Sequence, residues 1–116
     1  MATKQLVAAS SKPLILSILS YGESYGYEII KKVEDLSSGE LEWTDAMLYP
    51  VLHRMEGDGL VQSKWVKAEN GRRRKYYEIT RQGLQELAIE KAQWVKVNNA
   101  LSLLWNKDSG FSLERV

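Results

Sequence analysis

The stretch TDAMLYPVLHRMEGDGL (Thr44–Leu60), followed by VQSKWVKAENGRRRKYYEIT (Val61–Thr80), changes its hydrophobic period halfway along. In the first half Leu48, Val51, Leu52 and Met55 recur at helical spacing, which puts them on one face of a short amphipathic helix and leaves Ala46, Pro50 and His53 on the other. In the second half Val61, Trp65, Val66, Tyr76, Tyr77 and Ile79 flank a polar tip, Glu69-Asn70-Gly71-Arg72-Arg73. Asn-Gly is a strong hairpin signal because both residues tolerate positive φ. The order helix, turn, strand, basic loop, strand is the layout of a winged helix-turn-helix, a mainly α fold with a small antiparallel β-hairpin.

Charge is concentrated on the hairpin. Between Val61 and Arg81 the cations Lys64, Lys67, Arg72, Arg73, Arg74, Lys75 and Arg81 stand against Glu69 and Glu78, while the whole chain carries a net charge of +1. A positive arm on a near-neutral body suits a polyanion without making the entire surface sticky. The alternative is a plain solvated basic loop.

With 116 residues the chain is expected to be one domain whose core has little to spare, so a long exposed element would need a second chain to cover it. The absence of cysteine excludes disulfides and thiolate metal sites and suits a reducing cytoplasm. The most apolar run, Pro13 to Leu19, is far shorter than the roughly 20 residues of a membrane helix. A soluble cytoplasmic protein with no membrane contact is expected. His53 is the sole histidine, no glycine-rich phosphate loop precedes a helix, and Glu34-Asp35 lies on a solvent face, so neither catalysis nor a cofactor or metal is expected.

Toward the N-terminus, Pro13 allows two starts for the first helix: a cap at Ser11 or Lys12 with proline in the first helical position, or a longer helix from about Thr3. The longer form, running to Ser20 with some irregularity at Pro13 and burying Leu14, Ile15, Ile18 and Leu19, is the expectation. Ser24 is expected to cap a second helix, Tyr25 to Leu36, with Ile29, Ile30, Val33 and Leu36 inward. Leu41-Glu42-Trp43 is expected to pair with the hairpin edge as a third strand. Thr44 caps the third helix, where Pro50 removes a backbone bond at a cost of about 3 kcal/mol in an ordinary interior. Gly57-Asp58-Gly59 ends it.

From the cap Thr80 a last helix runs to about Trp105, with Leu84, Leu87, Ala88, Trp94, Val95, Asn98, Leu101 and Trp105 on one stripe. Such a helix is about 37 Å long, more than so small a domain can cover. The stripe therefore predicts a second copy of the chain as partner, through Leu87, Trp94, Val95, Leu101 and Trp105; the alternative is folding back on the first helix. The expected division is residues 1–80 as a DNA-binding unit, 81–106 as a dimerisation helix and 107–116 as a flexible tail.

Four segments carry a resemblance to a known family. Tyr25-Gly26-Tyr27-Glu28-Ile29, Leu48-Tyr49-Pro50-Val51-Leu52-His53-Arg54-Met55-Glu56, Asp58-Gly59-Leu60-Val61 and Gly71-Arg72-Arg73-Arg74-Lys75-Tyr76-Tyr77-Glu78-Ile79-Thr80 resemble, in order and spacing, the PadR family of bacterial transcriptional regulators over about Pro13 to Trp105. The resemblance implies a dimeric repressor that binds a palindromic operator in double-stranded DNA. The single C-terminal helix looks like the smaller subfamily, which includes regulators of multidrug efflux. There a tryptophan midway along that helix lines a pore at the dimer centre where planar aromatic compounds stack. Trp94 stands at the matching place, with Asn98 one turn on. Met47 departs from the family, which often has threonine or serine there.

Of the residues expected to meet DNA, Tyr27 resembles a family tyrosine that reaches a phosphate; the alternative is a buried ring. Ala46, Met47, Tyr49, Pro50 and His53 are the outward candidates on the recognition helix, and Tyr49 could equally pack under the hairpin. Few of these read hydrogen bonds, so apolar contacts to thymine methyls and shape readout are expected. Arg72, Arg73, Arg74 and Lys75 suit phosphates or the minor groove, with one or two turned to the sheet face, their stems on Tyr76 or Trp65. Trp94 and Trp105 could instead be plain dimer core. The competing function is a protein-binding module on the same fold.

Overall fold

The computed structural model describes residues 3–106. Helix α1 (Lys4–Leu19) is capped by Thr3, whose Oγ1 accepts from the Leu6 N–H at 3.2 Å, and it continues through Pro13. The longer of the two expected starts is therefore the one adopted. Ile15, Leu16, Ile18 and Leu19 are buried, and Leu14 is half-buried.

A two-residue strand, β1 (Ser24–Tyr25), leads into α2 (Gly26–Leu36); α3 (Asp45–Gly57), β2 (Val61–Lys67), β3 (Arg73–Ile79) and α4 (Arg81–Trp105) follow. The sheet is antiparallel in the order β1-β3-β2, with Ser24 opposite Tyr77 and Trp65 opposite Lys75. The expectation that Leu41-Glu42-Trp43 supplies the third strand is corrected here. Ser24-Tyr25 occupies that edge of β3, while the 41–43 segment is irregular and commits Trp43 to the core at 4 % exposure. Ser24 is likewise no side-chain cap for α2. The N-cap is Tyr25, which makes no side-chain cap bond, and the buried Ser24 hydroxyl donates to Glu28 Oε1 at 2.6 Å. Leu36, expected inward, is 71 % exposed, because it falls in the last turn, beyond the part of α2 that packs through Ile29 and Val33.

Helix α3 starts where Thr44 Oγ1 accepts from the Met47 N–H and continues through Pro50. The proline leaves the Ala46 carbonyl without its helical donor, but both residues are exposed, so water can satisfy the group. The helix ends in a Schellman motif. Gly59 N–H donates to the Glu56 carbonyl and Leu60 N–H to that of Met55, with Gly59 at φ +78°. At the hairpin tip Gly71 takes positive φ and Asn70 does not; Asn70 instead accepts from the Arg72 N–H through Oδ1 at 3.0 Å. The loop is consequently longer than a two-residue turn, with Gly71 N–H closing back on the Ala68 carbonyl. The core gathers Leu48, Leu52 and Met55 of α3, Ile29 and Val33 of α2, the buried face of α1, and Leu60, Val61 and Tyr77 beside the sheet.

Helix α4 is held at its start. Thr80 Oγ1 accepts from the Gly83 N–H at 3.0 Å and donates to the Gly59 carbonyl at 2.6 Å, while Thr80 N–H donates to the Leu60 carbonyl. Gly83 lies so close to the Leu60 carbonyl and the Ile79 side chain that no Cβ fits. One turn on, Lys12 of α1 pairs with Glu86 at 3.3 Å and Glu90 at 2.9 Å. Beyond these anchors α4 runs out of cover: Val95, Val97, Leu103, Leu104 and Trp105 are exposed, Trp105 at 73 %. Ile89, Val97, Leu103 and Leu104, absent from the expected stripe, widen its apolar surface.

Gly83→Ala forces a methyl against a backbone carbonyl and should destabilise the fold by about 1–3 kcal/mol or more, read as a lower urea midpoint at fixed protein concentration. A midpoint equal to the parent's would show that the joint is looser than described. Glu28 offers a second check. The Ser24 hydrogen bond, opposed by burial and assisted by Lys32, holds its carboxyl below the ordinary value of 4.5. A depressed folded value contributes stability above about 4.5 that is lost as pH falls through the folded value. Glu28→Gln should therefore flatten the acid limb of the stability curve, and superimposable limbs would contradict this.

Candidate nucleic-acid interface

The outward face of α3 is set by its helical period. With Leu48, Leu52 and Met55 buried, Ala46, Tyr49, Pro50 and His53 are exposed on the opposite side. Met47, also expected outward, is instead half-buried against the core, since it falls on the flank that meets α1. Tyr49 lies between the start of α2 and the hairpin, sharing a cleft with Lys75 and Tyr77 of β3. Its ring crosses Gly26 at the start of α2, so closely that a Cβ there would collide with it. Burial, and then Asp45, push the Tyr49 hydroxyl above its ordinary range, so it remains a protonated donor at neutral pH. Tyr27, on the next position of α2, is 64 % exposed, not buried.

Strand alternation sorts the wing. On β3, Arg73, Lys75 and Tyr77 share one face with Trp65 and Ser63 of β2, and the buried Tyr77 shows that this face turns toward the body. Arg74 and Tyr76 take the other face. Arg73 lies over the Trp65 ring at 5.4 Å, one of the two rings expected to take a basic side chain, while Lys75 Nζ lies over Tyr77 at 5.5 Å and Arg74 over Tyr25 at 4.5 Å. Tyr76 meets Tyr25 edge-on at 5.3 Å.

These elements meet at a cleft of about 560 Å³ between wing and helices, lined by Tyr27, Tyr49, Arg72, Arg73, Arg74 and Lys75 together with Tyr25, Gly26, Trp65 and Tyr77. Six of the residues expected at DNA thus converge on one cleft, while Ala46, Pro50 and His53 lie outside its lining on the exposed surface of α3. Tyr25, Gly26 and Trp65 were missed as site residues. The alternation Val61, Ser63, Trp65, Lys67 could have put Trp65 on the face of Val61; its place beside Arg73 needs the pairing register. Cations and hydroxyls beside exposed rings suit contact with phosphates and sugars.

A second groove, about 480 Å³, runs between α1 and α4 and is lined by Pro13, Ser17, Ser20, Tyr21, Leu87, Lys91, Trp94, Val95 and Asn98. It brings Trp94 and Asn98 together. Trp105 lies beyond it, and Leu101 is half-buried nearer the end of the helix. Among the described residues no cluster of His, Asp or Glu is placed to hold a metal, and no helix is long and apolar enough to cross a membrane.

Known proteins resemble this chain in sequence and in fold. The model of the transcriptional regulator PadR-like family matches residues 15–89. An uncharacterized protein of Lysinibacillus sphaericus is 25% identical over 103 residues, which span 89% of this chain and 94% of that protein. The transcriptional regulator YqjI of Escherichia coli K12 is 34% identical over 80 residues, spanning 69% of this chain and 37% of YqjI. Among solved structures, a PadR-like transcriptional regulator from Bacillus cereus superposes with a TM-score of 0.79 at 30% identity, covering 90% of this chain and 100% of that one. A PadR family transcription regulator from Clostridium difficile gives a TM-score of 0.74 at 32% identity, covering 84% of this chain and 99% of its own. The chain belongs to the PadR-like family of transcriptional regulators.

Proposed function

We propose that this regulator is a homodimeric repressor that grips a palindromic operator with two copies of the α3–wing cleft and is released by planar aromatic ligands at the dimer centre. Residues 1–80 serve as the DNA-binding unit and 81–106 as the dimerisation helix; the proposed tail at 107–116 lies outside the described residues. The observation that carries this reading is the convergence of Tyr27, Tyr49 and the wing cations on one cleft while the apolar surface of α4 stands uncovered in the single chain. A helix face of that kind is covered most economically by its own copy, through Leu87, Trp94, Val95, Leu101 and Trp105, and two-fold symmetry in the protein then requires it in the operator.

The ligand reading rests on Trp94 beside Asn98 in the second groove. Lys91 is the charged side chain lining that groove, so within one chain planarity, not positive charge, is the feature that favours a ligand.

If Arg73 neutralises a phosphate, Arg73→Ala should weaken duplex binding and lower the slope of log affinity against log salt by about one unit; an unchanged slope rejects that role. Planar aromatic dyes should quench tryptophan fluorescence in the parent and far less in Trp94→Leu. Equal quenching in the two proteins would leave Trp94 as interface core alone.

A further inference from the structure

Trp65 occupies a position that the core does not account for. Along the body-facing side of β2, burial runs out from Val61, which is buried, through half-buried Ser63, to Trp65 at 58 % exposure and then exposed Lys67. A large ring placed beyond the end of the core does not gain the burial that ordinarily favours tryptophan. Its contact is instead with Arg73. Trp65 pairs with Lys75 and Lys67 with Arg73, so Trp65 and Arg73 are diagonal neighbours across the ladder, within reach for long side chains. The guanidinium lies 5.4 Å from the ring centroid.

The two other cation–ring pairs of the wing use rings that the fold already needs. Lys75 rests on Tyr77, a core residue, and Arg74 rests on Tyr25, a half-buried ring of β1 packed edge-on against Tyr76. Only in the Arg73 pair is the ring itself largely exposed. A free arginine loses rotamer freedom when it grips a phosphate, and a side chain already held in place loses less. The ring attracts the cation through its face, and a planar guanidinium held there keeps N–H donors at its edge for an acceptor.

We propose that Trp65 is a positioning residue for duplex binding, an indole platform that pre-orders Arg73 toward the nucleic-acid backbone without touching the duplex itself. This rests on the duplex-binding reading above. The test is a double-mutant cycle on the full chain, measuring duplex affinity and its salt slope for the parent, Trp65→Leu, Trp65→Phe, Arg73→Ala and the Trp65→Leu/Arg73→Ala pair. Unchanged circular dichroism of each variant establishes that the fold is retained.

Trp65→Leu should weaken binding about two- to five-fold, the size of an exposed cation–π contact, with the salt slope unchanged because Arg73 still makes its contact. Trp65→Phe should recover most of the loss, and Trp65→Leu should add nothing in the Arg73→Ala background. A full further loss in that background would overturn the proposal by showing that the ring contacts the duplex directly, and so would the absence of any loss in Trp65→Leu alone. If Arg73→Ala itself changes neither affinity nor slope, the role of Arg73 in duplex binding fails first, and this inference with it.

Discussion

The Thr80 hydroxyl ties the start of α4 to the end of α3, accepting from Gly83 N–H and donating to the Gly59 carbonyl. Around it Gly83 fits against Leu60 with no space for a side chain, and Leu60 itself belongs to the core. An N-cap of this kind contributes about 1 kcal/mol, and the half-buried pairs of Lys12 with Glu86 and Glu90 add a second tie, to α1. The direction of α4 is set by close packing and backbone bonding at the joint together with its packing along α1, where the ion pairs lie. Because the wing begins directly after Leu60 and ends at Thr80, one joint fixes the recognition helix, the wing and the long helix relative to one another. In the proposed dimer, a change in how two α4 helices meet would move both clefts as rigid bodies, the mechanical basis of the proposed ligand response at Trp94.

Most of this was legible in the sequence because it rests on long periodic segments or on local chemistry. Four helices, the hairpin, and the caps Thr44 and Thr80 follow from spacing and from hydroxyls placed just ahead of apolar runs. What was not legible has in each case a non-local cause. Strand β1 is two residues long, too short for any alternation, and exists because the edge of β3 is there to receive it. Ser24 looked like a cap because it is a hydroxyl residue just ahead of an apolar-periodic run; its hydroxyl instead donates to the Glu28 carboxylate from within a strand. Leu36 and Met47 were assigned to faces by periodicity alone, and both sit where the helix leaves or turns across its neighbours.

The candidate interface was legible by residue type more than by arrangement. The sequence marked Tyr27, Tyr49 and the run of basic residues, but only the pairing register shows which cations share a face with which rings. A near-neutral chain can carry so basic an arm because most of its acids lie elsewhere, as with Glu34 beside Lys31 and Glu28 beside Lys32 on α2. The cleft keeps its positive field while those pairs quieten neighbouring surfaces.

The central claim, two linked clefts reading one symmetric site, is tested most directly by selecting bound duplexes from a random pool at moderate salt. The account predicts enrichment of a motif with two-fold symmetry, its halves separated by about one helical turn or a multiple of it. A pool that stays unenriched, or a winning motif without symmetry, would contradict it.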